Sequence, residues 1–211
     1  MSTAAHAETR RSRLKSDRRS KLLAAAERLI AERGYLAVRL EDIGSAAGVS
    51  GPAIYRHFPN KEALLAELLV GISTRLLAGA QAVVSEADDV EAALDGLVDF
   101  HLDFALSEPD LIRIQDRDLA HLPERTKRQV RKAQRQYVEL WVDLLRVRDR
   151  LVEADARLMA HAAFGLMNST PYSLKSLRTK DSKDPDASRS REVLRAMTVA
   201  ALSSGHGGEP R

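Results

Sequence analysis

Between Leu40 and Lys61 the chain reads LEDIGSAAGVSGPAIYRHFPNK, and no other stretch restricts its folding as tightly. Leu40, Ile43 and Ala47 fall on one face of a short helix, Gly48 supplies the left-handed backbone of a tight turn, and Ser50 stands where an N-cap opens a second helix. Pro52 lies in the first turn of that helix, where its missing N–H costs nothing. Val49, Ile54 and Phe58 have the spacing of a buried face, which leaves Gly51, Ala53, Tyr55, Arg56 and His57 pointing elsewhere. Gly44 falls where the two helices cross, and a side chain larger than alanine would push them apart. The pattern is a helix-turn-helix whose second helix has a small tip, narrow enough for the roughly 12 Å wide major groove of DNA.

At 211 residues the chain has room for one substantial core, or for a core with a small DNA-binding module attached. The absence of cysteine excludes disulfides, thiolate metal sites and a cysteine nucleophile. No apolar run approaches the roughly 20 residues of a membrane span, and the N-terminus lacks a signal peptide's hydrophobic segment. The expectation is a soluble, cytoplasmic protein with no membrane partner. The net charge of +3 conceals an asymmetry: residues 1–60 carry eleven lysines and arginines against six acids, a net +5, while the remainder is −2. A basic front and a nearly neutral rear point only the front at a polyanion.

The rest of the chain is read as all-α, because no segment sustains period-two alternation. Residues 1–17 read as a disordered basic arm, 18–62 as the helix-turn-helix domain, 63–204 as a larger helical domain and 205–211 as a tail. Helix 1 is expected from Arg18, with Leu22, Ala26, Leu29 and Ile30 as its stripe and Gly34 as its end. Asn60 caps a long helix through Leu77. Further helices are expected near Val90–Leu106, from Pro109 to about His121, from Pro123 to about Arg148, over Leu151–Leu174 and over Arg191–Leu202. Lys175–Arg189, with Pro185, reads as an exposed connection.

The motif resembles the DNA-binding domain of the TetR family of transcriptional regulators. The likeness covers about Arg18–Leu69 and rests on Gly34-Tyr35, Asp42-Ile43, Ala47-Gly48-Val49-Ser50, Ile54-Tyr55-Arg56-His57-Phe58 and Asn60-Lys61. It implies a dimer of nine-helix subunits in which helices 1 to 3 bind DNA, helices 4 to 7 surround a ligand cavity and helices 8 and 9 pair across the dimer. One departure lies ahead of helix 2, where the family carries threonine and serine and this chain has Val38 and Arg39. That helix lacks its usual hydroxyl cap, worth typically ~1 kcal/mol, and Arg39 becomes the candidate for the phosphate contact.

The candidate DNA-binding residues are Arg18, Arg19, Arg39, Ser50, Gly51, Pro52, Ala53, Tyr55, Arg56, His57 and Lys61. Lys61 combines a positive charge with a helix N-terminus, a phosphate-binding arrangement, whereas Glu41 and Asp42 are expected to serve a helix N-terminus. The candidate ligand-binding residues are His101, Phe104, Gln115, Tyr137, Trp141, His161, Phe164 and Asn168, polar and aromatic groups among apolar neighbours.

The stretch RKAQRQYVELWVDLL, Arg131–Leu145, is similar to a helix of family members that regulate lipid or sterol catabolism and sense acyl-CoA thioesters. On that similarity Arg113, Arg117, Arg125, Lys127, Arg128, Arg131 and Lys132 are candidates for a CoA phosphate, against the alternative of a solvated face. The alanine-rich Ala154–Gly165 and Val193–Leu202 are candidates for the homodimer interface. The expected partners are therefore double-stranded DNA, a second copy of the chain and a small-molecule effector. No cofactor or metal is expected. GxSxG, P-loop and HExxH motifs are absent and the six histidines are scattered, so an enzyme is not expected. The competing reading is an architectural DNA-binding protein that takes no ligand.

Overall fold

The computed structural model describes residues 10–169 and 185–203. Among these there are nine α-helices, one 3-10 turn and no strand. The helices are α1 (Arg10–Arg33), α2 (Leu40–Ala46), α3 (Gly51–Ile54), α4 (Lys61–Glu86), α5 (Val90–Ser107), α6 (Pro109–Asp118), α7 (Glu124–Asp149), α8 (Glu153–Ser169) and α9 (Pro185–Ser203), with the 3-10 turn at Leu119–His121.

The chain divides into two compact units. The first comprises the residues up to Leu69 together with Arg113–Pro123; the second comprises Val70–Ile112 and the chain from Glu124. Helices α4 and α6 each contribute residues to both. The inclusion of 113–123 in the first unit departs from the expected boundary at residue 62. Its cause is visible in three contacts: the Arg117 guanidinium donates to Ile30 O at 2.5 Å, it also pairs with the buried Asp118, and His121 stacks on Tyr35 with ring centroids 5.0 Å apart. Arg117 lies 87 residues from Ile30, and His121 is as remote from Tyr35, so periodicity carries no sign of these contacts.

In the first unit, Leu22, Ala26, Leu29 and Ile30 of α1 are buried with Ile43, Ile54, Phe58, Leu64 and Leu65. Gly34 and Gly48 both have positive φ, 87° and 70°, and each follows a helix end as expected. Helix α1 begins at Arg10, so Arg10–Asp17, expected as disordered arm, is helical, while residues 1–9 lie outside the described residues. Apolar periodicity reports burial rather than helicity. No glycine or proline interrupts this segment, so a helix nucleated on the packed turns downstream propagates backward at little cost.

In the second unit, α5, α7, α8 and α9 bury Leu94, Leu97, Val98, Leu102, Tyr137, Trp141, Val142, Leu145, Ala156, Ala160, Ala163, Met167, Leu194 and Leu202 in one core. Asp89 caps α5, accepting from Ala92 N at 2.8 Å. A charged ladder fastens α9 to α5: Arg191 reaches Asp99 at 2.9 Å and Asp103 at 2.8 Å, and Arg195 reaches Asp95 at 2.9 Å and Asp99 at 3.0 Å. Helix α9 starts at Pro185, earlier than expected, because proline fits the first turn of a helix as readily as a loop. The rest of the expected connection and the tail fall outside the described residues.

Helix α4 corrects the expectation of no membrane-length apolar run. By length and composition it could cross a membrane, with mean hydropathy of 1.6 over its most apolar window, 39% of it buried within the structure. Its two charges in the middle, Glu67 and Arg75, are both ion-paired, with Arg19 and Glu108. An alanine- and leucine-rich core helix passes the same test without a membrane.

Candidate functional site

The turn between α2 and α3 is closed by backbone bonds, Val49 N to Gly44 O at 2.8 Å and Gly48 N to Ser45 O at 3.1 Å. A Cβ on Gly44 would lie 3.2 Å from Val49 O and 3.4 Å from Ile54 Cβ, which explains the close helix crossing. Ser50 occupies the N-cap position, but its hydroxyl makes no capping bond; the turn is held by Ala53 N donating to Ser50 O at 2.9 Å. Helix α3 proper is short, and the chain continues in tight turns to Phe58 through His57 N to Ile54 O at 2.8 Å. Ser50 and Pro52 are exposed, and Gly51 and Ala53 half-exposed, so the tip of the motif is accessible and small.

Arg39 stands at the N-cap of α2 without a side-chain cap. The helix start is served instead by Asp42, whose carboxylate accepts from Arg39 N at 3.0 Å. Arg39 itself is exposed, and its guanidinium, which only donates, takes no part in the cap. Asn60 caps α4 by accepting from Ala63 N at 2.7 Å. Together Leu36, Val38, Arg39, Leu40, Glu41, Tyr55, Asn60 and Lys61 line an open groove of about 480 Å³. Three of the candidate DNA-binding residues, Arg39, Tyr55 and Lys61, are thus brought to one place from the starts of α2 and α4 and the end of α3.

Two of these side chains, Lys61 and Tyr55, have partners within the unit. Lys61 Nζ donates to Tyr35 O at 2.6 Å and to Val38 O at 2.8 Å and lies 4.3 Å from the centroid of the Tyr35 ring. Burial holds its ammonium below the usual lysine range. The Tyr55 hydroxyl donates to Glu41, whose carboxyl is lowered first by that bond, and the phenol is raised in return. Sequence reasoning missed Glu41 as a groove residue, because its pairing with Tyr55 spans two helices.

Arg19 corrects another expectation. Its Nε donates to Glu67 at 2.6 Å, one terminal nitrogen bonds the same carboxylate, and the other donates to His57 O at 2.7 Å. The guanidinium also lies 4.2 Å from the Phe58 ring centroid, and its bonds clasp α1 to α4 and the end of the motif. A carboxylate within reach on the adjacent helix takes the fork that the sequence assigned to phosphate. Arg18 and Arg56 remain exposed. His57 is half-buried with Nδ1 enclosed and unbonded, and burial, followed by Arg19, Arg18 and Lys15, holds its imidazole below the usual range. It is therefore neutral at neutral pH, and a role on DNA would not be that of a cation.

In the second unit, six of the eight candidate ligand residues converge. His101 Nδ1 is 2.9 Å from the Tyr137 hydroxyl, and Nε2 is 3.0 Å from Asn168 Oδ1, joining α5, α7 and α8. Around this line stand Phe104, Trp141 and Phe164, with His101–Phe164 and Trp141–Phe164 centroids both at 5.1 Å. Burial drives the His101 pKa down to about 4, against the opposing hydrogen bond to Asn168. Burial also pushes the Tyr137 phenol up, opposed in part by the Trp141 indole. His161 is exposed and touches the set only through Phe164, at 6.3 Å. Gln115 belongs to the first unit.

The candidate phosphate-binding run is dispersed. Arg117 is committed to Asp118 and Ile30 O, and Lys127 pairs with Glu124 at 2.9 Å. Arg125, Arg128, Arg131 and Lys132 are exposed, on the side of α7 opposite the buried Tyr137 and Trp141. Among the described residues, no group of three or more histidines or acids is placed to hold a metal.

Two family models match the chain. "Bacterial regulatory proteins, tetR family" covers residues 22–68 and "Tetracyclin repressor-like, C-terminal domain" covers 87–172, together well over half of it. The HTH-type transcriptional repressor KstR2 of Rhodococcus jostii strain RHA1 is 29% identical over 161 residues, 75% of this chain and 78% of the relative. For several other curated relatives the match spans less than two thirds of their length. The fold is that of the TetR family regulator PfmR from Thermus thermophilus, with a TM-score of 0.72 at 22% identity, covering 92% of this chain and 97% of that one. It is also that of AibR in complex with isovaleryl coenzyme A and operator DNA, with a TM-score of 0.68 at 17% identity, covering 85% and 97%. With a helix-turn-helix unit and a C-terminal helical unit each matched by its own model, the chain belongs to the TetR family of transcriptional regulators.

Proposed function

We propose that the chain is a cytoplasmic repressor that binds a palindromic operator as a homodimer and is released by a small-molecule effector, an acyl-CoA thioester or another hydrophobic compound. The observation that carries the reading is the groove at the start of α2 and α4, where Arg39, Tyr55 and Lys61 stand beside the bare tip Ser50–Ala53. A phosphate in that groove would meet one guanidinium, one ammonium and one phenol, and would seat the tip at base edges. Arg18 and Arg56, both exposed, extend the positive surface.

Dimerisation is supported by an exposed apolar face on the last two helices. Leu158 is 69% exposed, Val193 50% and Met197 52%, and Ala154, Ala162 and Gly165 on α8 and Ala196 and Ala200 on α9 share that exposure. Small residues between larger apolar ones let helices of a symmetry mate approach closely. Two-fold symmetry would set two recognition helices about 34 Å apart, the spacing of successive major grooves.

The effector reading draws on the buried polar line His101–Tyr137–Asn168 within an aromatic wall, and on the CoA ester held by AibR. Helices α4 and α6, which contribute to both units, are the elements through which an effector would change the setting of the DNA-binding unit. An effector that favours one setting lowers operator affinity by the same coupling energy. Footprinting on the DNA flanking the chain's own gene tests the reading. A discrete palindromic footprint supports it, and diffuse coverage would favour an architectural protein.

A further inference from the structure

From Arg125 to Gln136, α7 carries six lysines and arginines and no acidic residue. Arg125, Arg128, Arg131, Lys132 and Arg135 are exposed, and none of their side chains forms a hydrogen bond or an ion pair among the described residues. Glu124, whose charge acts on Arg128 and Arg131, is bonded to Lys127, and the next acid along the helix, Glu139, is held by Arg157. Other arginines of this unit are neutralised: Arg148 by Asp149, and Arg191 and Arg195 by Asp99. At about 100° per residue, the five unpaired cations fall within about a third of the helix circumference and extend about 15 Å along it. Val130, Ala133, Tyr137 and Trp141 are buried on the other side.

Such a stripe works against its own helix. Like charges three and four positions apart destabilise a helix about as much as opposite pairs support it, and here Arg128 has Arg125 and Arg131 at three positions and Lys132 at four. A face left to water gains by mixing its signs; one sign unbroken raises a field for a polyanion. Insertion into a bilayer needs exposed apolar groups beside the cations, and the apolar side of this half of α7 lies in the core. Four of the five cations are arginines, whose planar fork matches phosphate, and the exposed Gln129 and Gln136 add neutral donors beside them. About four phosphates of one DNA strand fall within 15 Å of duplex axis, the length of the stripe. A small phosphate ester would engage only one or two of these cations. The stripe also begins four residues after His121, whose ring stacks on Tyr35 within the DNA-binding unit.

We infer that the exposed face of α7 from Arg125 to Arg135 is a second DNA contact, outside the helix-turn-helix, which takes the phosphate backbone of a duplex without regard to its sequence. It rests on the DNA-binding part of the function proposed above and on neither the effector nor the dimer. Its cations add affinity and salt dependence on any duplex, while the choice of operator stays with the recognition tip.

Two double variants of the full-length protein carry the test, each removing two exposed charges: Arg128→Gln with Arg135→Gln in the stripe, and Arg146→Gln with Arg150→Gln at the far end of the same helix. Binding to a fluorescent duplex of random sequence is followed by anisotropy across a salt series. The stripe variant is expected to lose at least about tenfold in affinity at low salt, with a log–log salt slope shallower by about two per subunit. The far-end variant is expected to keep both values. Arg128→Lys with Arg135→Lys, which keeps the charge, is expected to retain most of the slope. An unchanged slope in the stripe variant overturns the proposal, and so does an equal loss in the far-end variant, which would reduce the effect to net charge. Phosphatidylserine vesicles and free coenzyme A are titrated in parallel, and a loss confined to either of them, with DNA binding intact, overturns it as well. A stripe effect on random duplex without any palindromic footprint would uphold this contact and sink the operator reading instead.

Discussion

Lys61 Nζ donates to the carbonyl oxygen of Val38 at 2.8 Å, so the first residue of α4 holds the loop that leads into α2. With Tyr35 O as its second acceptor, the ammonium has one proton left for the groove it lines. Lys61→Ala is therefore expected to act twice. Loss of the two carbonyl bonds lowers stability by about 1–2 kcal/mol in urea unfolding, and loss of the charge lowers the log–log salt slope of operator binding by about one per subunit. A salt slope that stays unchanged while stability falls would assign Lys61 to the loop alone.

Glu41 places a carboxylate in the same groove and engages the Tyr55 hydroxyl. A phosphate arriving there must displace that bond and accept a like charge beside it. Glu41→Gln removes the repulsion and leaves a weaker partner for Tyr55, so operator binding is expected to tighten several-fold at low salt, with the gain shrinking as salt screens the charge. Weaker binding at low salt would mean that Glu41 orients Tyr55 for DNA rather than competing with it.

The exposed faces of α8 and α9 make a third expectation. Leu158→Glu and Met197→Glu put a charge on residues that are already solvent-exposed in one subunit, so neither disturbs its core. Sedimentation is expected to show monomers, and operator affinity to fall at least about a hundredfold as two half-sites cease to act together. Dimers in both variants would move the interface elsewhere.

What was legible in the sequence was what local chemistry decides. Gly48 in the left-handed region, the Asn60 cap, and Ile54 and Phe58 in the core follow from residues a few positions apart. Partners distant in sequence were not legible. Arg19 is claimed by Glu67, and two of the three Lys61 donors by Tyr35 and Val38, and neither pairing leaves a trace in periodicity. The interior cluster falls between these cases. His101, Tyr137, Trp141, Phe164 and Asn168 stood out as polar or aromatic groups at buried helical positions, and α5, α7 and α8 do bring them together. Gln115 and His161 carried the same signal but lie on α6 residues of the first unit and on the outer face of α8. Residue type marks candidates; only the packing of helices selects among them.

The buried imidazole of His101 also predicts how stability responds to acid. Its pKa in the folded chain is about 4 because burial disfavours the charged form, whereas an unfolded histidine titrates near 6.5. Between those values the unfolded state binds the proton and the folded state does not, so stability rises with pH across this window. The contribution is fully present above about pH 6.5 and is lost as pH falls toward 4, amounting to about 3 kcal/mol over the window. His101→Gln keeps a hydrogen-bonding side chain of similar reach and removes the titration. The difference in unfolding free energy between the two proteins is expected to shrink by about that amount between pH 7 and 4, which cancels the carboxylates common to both. A difference that does not change with pH would mean that His101 is solvated in the folded chain.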